Sequence, residues 1–241
     1  MSNPTRLYAG LSTAYSNETL YSFPFPDPFH TGSTQAIGSS TYVNDFNTLI
    51  GTDYTVTGSS SSFALTPGIG GQALLTPGGA TTATSAYKNG TFYQFVAGNR
   101  SWFTTRFQVS AVAGNVSFYV GLQKGSATTD GLWFAKAAAS TSINLVSTVN
   151  STATTLVTGV ATAVAATWIE LGFYYDGTDI IVYFGSSTTT SSPVARISAP
   201  TIGTTGTTLT NAVLSPVFQI TPTATDTLTT DFVLAAQEVL R

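Results

Sequence analysis

No cysteine occurs in the 241 residues, which excludes disulfides, thiolate metal sites and thiol nucleophiles. Histidine is almost as scarce: His30 is the only imidazole. A Ser-His-Asp constellation or a histidine zinc site would have to be built on that one residue, in a loop-like part of the chain, so His30 reads as an exposed or packed residue and not a base. Charge is sparse too. Charged residues make up 8% of the chain, against roughly 25% in an ordinary soluble domain. Eight lysines and arginines, none clustered, and a net charge of −3 leave nothing to gather phosphates, so nucleic acid is excluded as a partner. The opening "MSNPTRLYAG" lacks the basic-then-apolar order of a secretory signal, and no Sec export is expected. No stretch keeps a helical period over three turns. The most apolar window, "LVTGVATAVAATWIELGF", is interrupted by Gly159 and contains Glu170, and it reads as two strands rather than a membrane span.

What is present is a strand cadence. From Thr41 onward, short runs of Val, Ile, Phe, Tyr and Thr are broken by Gly, Asn, Asp and Pro. The clearest unit is "WIELGFYYDGTDIIVYFG", two strands around an Asp-Gly turn. Trp168, Glu170, Gly172 and Tyr174 share one face of its first strand, and Ile169, Leu171, Phe173 and Tyr175 the other. Both faces are apolar, which places the pair centrally in a sandwich. "SWFTTRFQVSAV" and "NVSFYVGLQ" around "AGN" read as a second hairpin. "NDFNTLI", "DYTVTG", "FALTPG", "QALLTP", "GLWFAKA", "SINLVSTV", "TTLVTGV", "PVARISA", "SPVFQIT" and "TTDFVLAAQEVL" supply further strands, with "TPGIGGQALLTPGGATTATS" mostly loop. About twelve short strands of two-sided character predict an all-β, two-sheet antiparallel sandwich over residues 41–241.

Residues 1–40 differ: they carry little alternation and much loop chemistry, and are read as an extended N-terminal arm. Within them, "YSFPFPDPFH" sets Tyr21, Phe23, Phe25 and Phe29 among three prolines. Proline at alternate positions removes ladder donors, which disfavours a central strand. The four aromatics are therefore expected to form a stiffened docking strap, stable only when covered, with a neighbouring molecule or the chain's own sandwich underneath it.

Chemistry-bearing patterns are few. The eleven carboxylates are scattered, and neither Glu170 nor Glu238 has a carboxylate at an alternate position, as a two-carboxylate glycosidase strand would. Asp176 and Asp179 flank the Asp-Gly turn and read as turn formers rather than calcium ligands. "GIGGQ" and "TPGGATT" lack the Lys-Ser/Thr of a phosphate loop. Trp102, Trp133 and Trp168 sit in apolar alternating strands and are expected in the core, though Trp and Tyr also stack on sugars. No catalytic residue, cofactor or metal ligand is assigned.

"SWFTTRFQVS" into "VSFYVGLQKG", then "DGLWFAK", "WIELGFYYDGTDIIVYFG" and the closing "LTTDFVLAAQEVL" together resemble the concanavalin A-like lectin/glucanase jelly roll, especially its versions in bacteriophage virion proteins. The resemblance covers residues 41–241 and implies a concanavalin-like jelly roll. Joined to the charge-poor composition and the arm, it implies a non-enzymatic virion structural protein: a capsid decoration or cement protein on the outer capsid surface. Its partners would be the major capsid protein and copies of itself in a dimer or trimer, with no nucleic acid or membrane. The alternative is a carbohydrate-binding or receptor-binding module of a phage tail or head fibre, with a glycan as ligand. A third reading is a glycan hydrolase using Glu170.

Overall fold

The computed structural model describes residues 37–240, except 69, 70, 91, 113, 187 and 188. Among them the regular structure is entirely strand. In chain order these are β1 (Ile37–Asn44), β2 (Tyr54–Thr57), β3 (Ser62–Thr66), β4 (Gln72–Thr76), β5 (Thr84–Lys88), β6 (Ser101–Val109), β7 (Ser117–Lys124), β8 (Ala127–Lys136) and β9 (Ser142–Val149). They continue as β10 (Thr152–Thr162), β11 (Ile169–Tyr175), β12 (Ile180–Ser186), β13 (Thr189–Ile197), β14 (Ile202–Gly203), β15 (Leu209–Thr210), β16 (Ser215–Thr221) and β17 (Leu228–Leu240). One sheet has the order β13-β12-β11-β6-β17-β4-β3, with β1 also on β17; the other has the order β10-β9-β8-β7-β16-β5-β2. All pairings within these two sheets are antiparallel, and β14 and β15 form a short parallel pair of their own. The expected all-β two-sheet sandwich is what the chain forms.

The period of two explains the core. From the eight-stranded sheet Phe103, Phe107, Leu171, Phe173 and Val233 point inward, and from the seven-stranded sheet Phe118, Val120, Phe134, Leu145 and Phe218 meet them. Phe107 lies edge-on to Phe118 at 5.4 Å, and Phe134 reaches Phe173 at 6.2 Å, so rings from both sheets interlock. Burial of this layer is the main source of stability.

The β11–β12 hairpin forms with the faces read from sequence: Ile169, Leu171, Phe173 and Tyr175 enter the core. The expected β6–β7 hairpin does not form. β6 pairs with β11 and β17, and β7 with β8 and β16, so the chain crosses from one sheet to the other between them. "NDFNTLI" is not a strand after Asn44. The Asn44 Oδ1 accepts a hydrogen bond from the Phe46 amide at 2.8 Å, Phe46 takes a φ of 52°, and its ring drops into the core. β5 was not read as a strand and starts in the last two residues of the stretch assigned mostly to loop, and β1 begins at Ile37, ahead of the boundary drawn at residue 41. Tyr21, Phe23, Phe25, Phe29 and His30 lie outside the described residues. Gly159 falls inside β10 at φ 69°, next to a register shift, and the break between the two strands of the apolar window comes after Thr162.

A smaller apolar cluster forms on the outer face of the eight-stranded sheet, from Trp102, Tyr174, Tyr183, Leu234 and Ala236, with Ile181 packed against it. Register explains it: Trp102 is the cross-strand neighbour of both Tyr174 and Ala236, and Tyr174 is the neighbour of Ile181.

Candidate functional site

On the seven-stranded sheet, the residues that alternate with the core layer face away from the sandwich. β7 offers Tyr119, Gly121 and Gln123, β8 offers Gly131, Trp133 and Ala135, β9 offers Asn144 and Val146, and β16 offers Val217 and Gln219. Trp133 pairs across to Gly121 on one side and Val146 on the other. Its ring lies down against the sheet: a Cβ on Gly131 would stand 2.0 Å from Trp133 Cζ3, and one on Gly121 2.5 Å from Trp133 Cα. Two glycines thus make the bed for one indole. Tyr119 stacks on it with ring centroids 5.0 Å apart and planes 28° from parallel.

Beside this pair is a cleft of about 270 Å³ whose lining includes Tyr119, Ala135, Asn144, Val146, Thr155 and Gln219. Asn144 is fixed by its Oδ1, which accepts from Ser142 Oγ at 3.1 Å and from the Gly159 amide at 2.9 Å. The Tyr119 Oη and the Gln123 Oε1 are buried without hydrogen-bond partners. Burial pushes the Tyr119 phenol well up, and the nearby Gln123 side chain only partly offsets this.

A second, larger cleft of about 550 Å³ opens at the β8 end, with Lys124, Asp130, Asn150 and Thr210 in its lining. Asp130 Oδ1 accepts from Thr210 Oγ1 at 2.7 Å and from the Asn150 amide at 3.2 Å, and Oδ2 accepts from Thr129 Oγ1 at 3.1 Å. Burial works to raise its carboxyl, but these hydrogen bonds and the Lys124 charge outweigh it, and Asp130 is held below the ordinary aspartate value. Its oxygens serve the fold, so it is poorly disposed to take a proton from a substrate.

Asp130 is also the only carboxylate in the seven strands of this sheet. Glu170 stands elsewhere, on the outer face of the eight-stranded sheet opposite Arg106, which itself bonds Asp231 at 3.0 Å. Glu238 pairs with Arg100, whose Nε donates to its Oε1 at 2.7 Å. Both glutamates lie beside arginines, and neither shares the cleft with a second acid. Asp176 Oδ1 accepts from the amides of Thr178 and Asp179, and Asp179 binds Arg196 Nε at 2.7 Å and the Ala199 amide at 2.8 Å. That pair is built into its turn, as the sequence reading had it. Among the described residues no cluster of three or more histidines and acids is placed to hold a metal.

Two of the three tryptophans are buried as expected, but outside the layer between the sheets. Trp102 and Trp133 are buried, at 2% and 6% exposure, yet both lie on outer faces and neither belongs to the inter-sheet core. Trp168 is half-buried beneath the Arg106 guanidinium, 5.1 Å from its ring. The sequence carries a signal for Trp133: in "GLWFAK" it alternates with Leu132 and Phe134, which occupy the core.

No family model and no curated protein matches this chain. Solved structures do. The exoplasmic/lumenal domain of VIP36 in its Ca2+/Man2-bound form has a TM-score of 0.56 at 10% identity, over 83% of this chain and 88% of that one. The fold is that of the concanavalin A-like lectins and glucanases. A Bacillus licheniformis β-glucanase aligns with a TM-score of 0.54 at 10% identity over 81% of this chain and 97% of that one. A protein of unknown function from Shewanella oneidensis aligns at 0.59 and 12%, over 86% and 90%. This concanavalin-like jelly roll therefore shares its architecture with sugar binders and sugar cleavers alike, and architecture alone does not choose between them.

Proposed function

We propose that this protein is a non-catalytic carbohydrate-binding module whose site is the outer face of the seven-stranded sheet. One observation carries the reading: a strip in which Tyr119, stacked on Trp133, adjoins the cleft side chains Asn144, Thr155 and Gln219. Neutral sugars present an apolar C–H face and a rim of hydroxyls, which calls for a ring surface edged by uncharged donors and acceptors. Lys136 also lines the cleft, but it is buried and its ammonium is engaged by the Val116 and Ala137 carbonyls, so it is not offered to a phosphate or sulfate. A pair of carboxylates is needed to cleave a glycosidic bond, and these strands supply Asp130 alone, already engaged by Thr210 and Asn150.

An array of neutral oligosaccharides, followed by calorimetric titration of the best ligand, tests this. Selective binding is expected, weakened at least about tenfold by Tyr119→Ala or Gln219→Ala, the loss of roughly 1.4 kcal/mol. Absence of binding to any glycan by the folded protein, or equal binding by both variants, overturns it.

A second reading, attachment to a larger body such as a phage capsid as a decoration protein, is supported by the 8% charged composition. In that case the major capsid protein and further copies of this chain are the partners and the outer capsid surface the location, and the glycan face would serve a virion. Recovery of the protein in many copies from purified particles tests it.

A further inference from the structure

The outer face of the eight-stranded sheet is dry where a sandwich surface is ordinarily wet. The seven-stranded sheet covers only its inner face, yet on the outer face Tyr183 has 0% and Trp102 2% exposure, as low as the Phe103 and Phe173 of the core. Thr104, Tyr174, Leu234 and Ala236 around them are buried too. Arg100 stands 5.9 Å over the Trp102 ring from the rim, and Ile181 packs at the side. Exposure this low on a face that the other sheet does not reach is that of a covered surface, and the cover must be long enough to cross several strands.

The chain has such a segment in the right place. Residues 1–36 lead into β1 at Ile37, and β1 runs beside β17 with Thr41 opposite Ala236 of the cluster. From β1 across β17, β6 and β11 to β12 is four strand spacings, about 19 Å. The eight steps from Phe29 to Ile37 span up to about 26 Å. Tyr21, Phe23, Phe25 and Phe29 all occupy odd positions, so a fully extended peptide turns them, with Asp27 between the last two, to one side, and Pro24, Pro26 and Pro28 to the other. Those prolines lack the amide donors to extend a sheet as a further strand, which leaves side-chain packing as the means of attachment.

We propose that the outer face of the eight-stranded sheet is the docking site of residues 1–36 of the same chain, the row Tyr21, Phe23, Phe25 and Phe29 lying on Trp102, Tyr174, Tyr183, Leu234 and Ala236. The aromatic arm is then an internal cover, and its docking is independent of the glycan reading of the opposite sheet.

The test uses the full chain carrying Trp133→Phe and Trp168→Phe, which leaves Trp102 the only tryptophan. Its emission is expected to be that of a buried indole, poorly quenched by acrylamide. Adding Phe23→Ser, Phe25→Ser and Phe29→Ser shifts the emission to the red and raises the quenching constant several-fold, while far-ultraviolet circular dichroism keeps its β signature. Unchanged Trp102 emission in a variant that keeps that signature overturns the proposal. A measurement on the unaltered protein keeps it falsifiable should that variant not fold. Chymotrypsin is offered the Tyr21–Ser22 and Phe29–His30 bonds, those after Phe23 and Phe25 being blocked by the following prolines. Cleavage at these two bonds no faster than global unfolding supports docking, and rapid cleavage at either of them in the native chain contradicts it. Sedimentation separates the sources of the cover: a monomer with buried Trp102 supports docking in the same chain, and burial that disappears on dilution assigns the cover to a second copy and overturns it.

Discussion

The two sheets of this sandwich turn very different outer faces away from a common core. The seven-stranded sheet shows stacked Tyr119 and Trp133, uncharged polar side chains and a cleft beside them. The eight-stranded sheet shows an apolar cluster as dry as the interior, bordered by the charged groups Glu170, Arg106, Asp231, Arg100 and Glu238. Both arise from the same alternation of side chains about a strand. What differs is the residue at each outward position. Glycines at 121 and 131 leave space for Trp133 to lie against the sheet beneath Tyr119, whereas Tyr174, Tyr183 and Leu234 fill the opposite face. Within one fold, one outer face is suited to receive a ligand and the other to be covered.

Replacing one tryptophan at a time breaks this symmetry. Trp102→Ala removes the centre of the buried cluster and is expected to cost about 3–5 kcal/mol by thermal or denaturant unfolding, with glycan affinity unchanged in the folded fraction. Trp133 belongs to neither apolar cluster, so Trp133→Ala is expected at the low end of that range or below it, with the larger loss falling on glycan binding. Equal effects of both replacements on binding would erase the distinction between the faces.

A smaller effect concerns Asp130, on β8 of the seven-stranded sheet. Its folded carboxyl titrates below the ordinary value of 3.8, so its contribution to stability is complete above that value and is lost as pH falls through the lower folded one. Asp130→Asn is therefore expected to flatten the acid limb of the stability profile measured by denaturant midpoints, with little change above pH 5 in that dependence. An unaltered acid limb would show that the Thr210, Asn150 and Thr129 bonds do not favour the ionised form.

Much of the fold was legible in the residues. The β11–β12 hairpin could be read with its faces because a strict period of two flanks an unambiguous Asp-Gly turn. The β6–β7 connection could not, because a short Ala-Gly-Asn stretch between two apolar strands looks the same locally whether the chain reverses within one sheet or crosses to the other. That choice is settled by the long-range pairing of β6 with β17 and of β7 with β16. β5 was hidden because "TSAYK" has only two strongly apolar positions and gains its strand from β2 and β16 on either side. The candidate site was less legible. Trp133 alternates with core residues, but nothing local shows that its outward ring lies beneath Tyr119. Only the placement of Gly121, Gly131 and Tyr119 across strands makes that visible.

The most direct test of the glycan face is a nuclear magnetic resonance titration of the full chain with the neutral oligosaccharide selected on the array. Shifts are expected to concentrate on the amides of Tyr119, Gly121, Trp133, Asn144 and Gln219 and on the Trp133 indole N–H. Shifts confined to β6, β11, β12 and β17, or none at saturating sugar, would contradict the account.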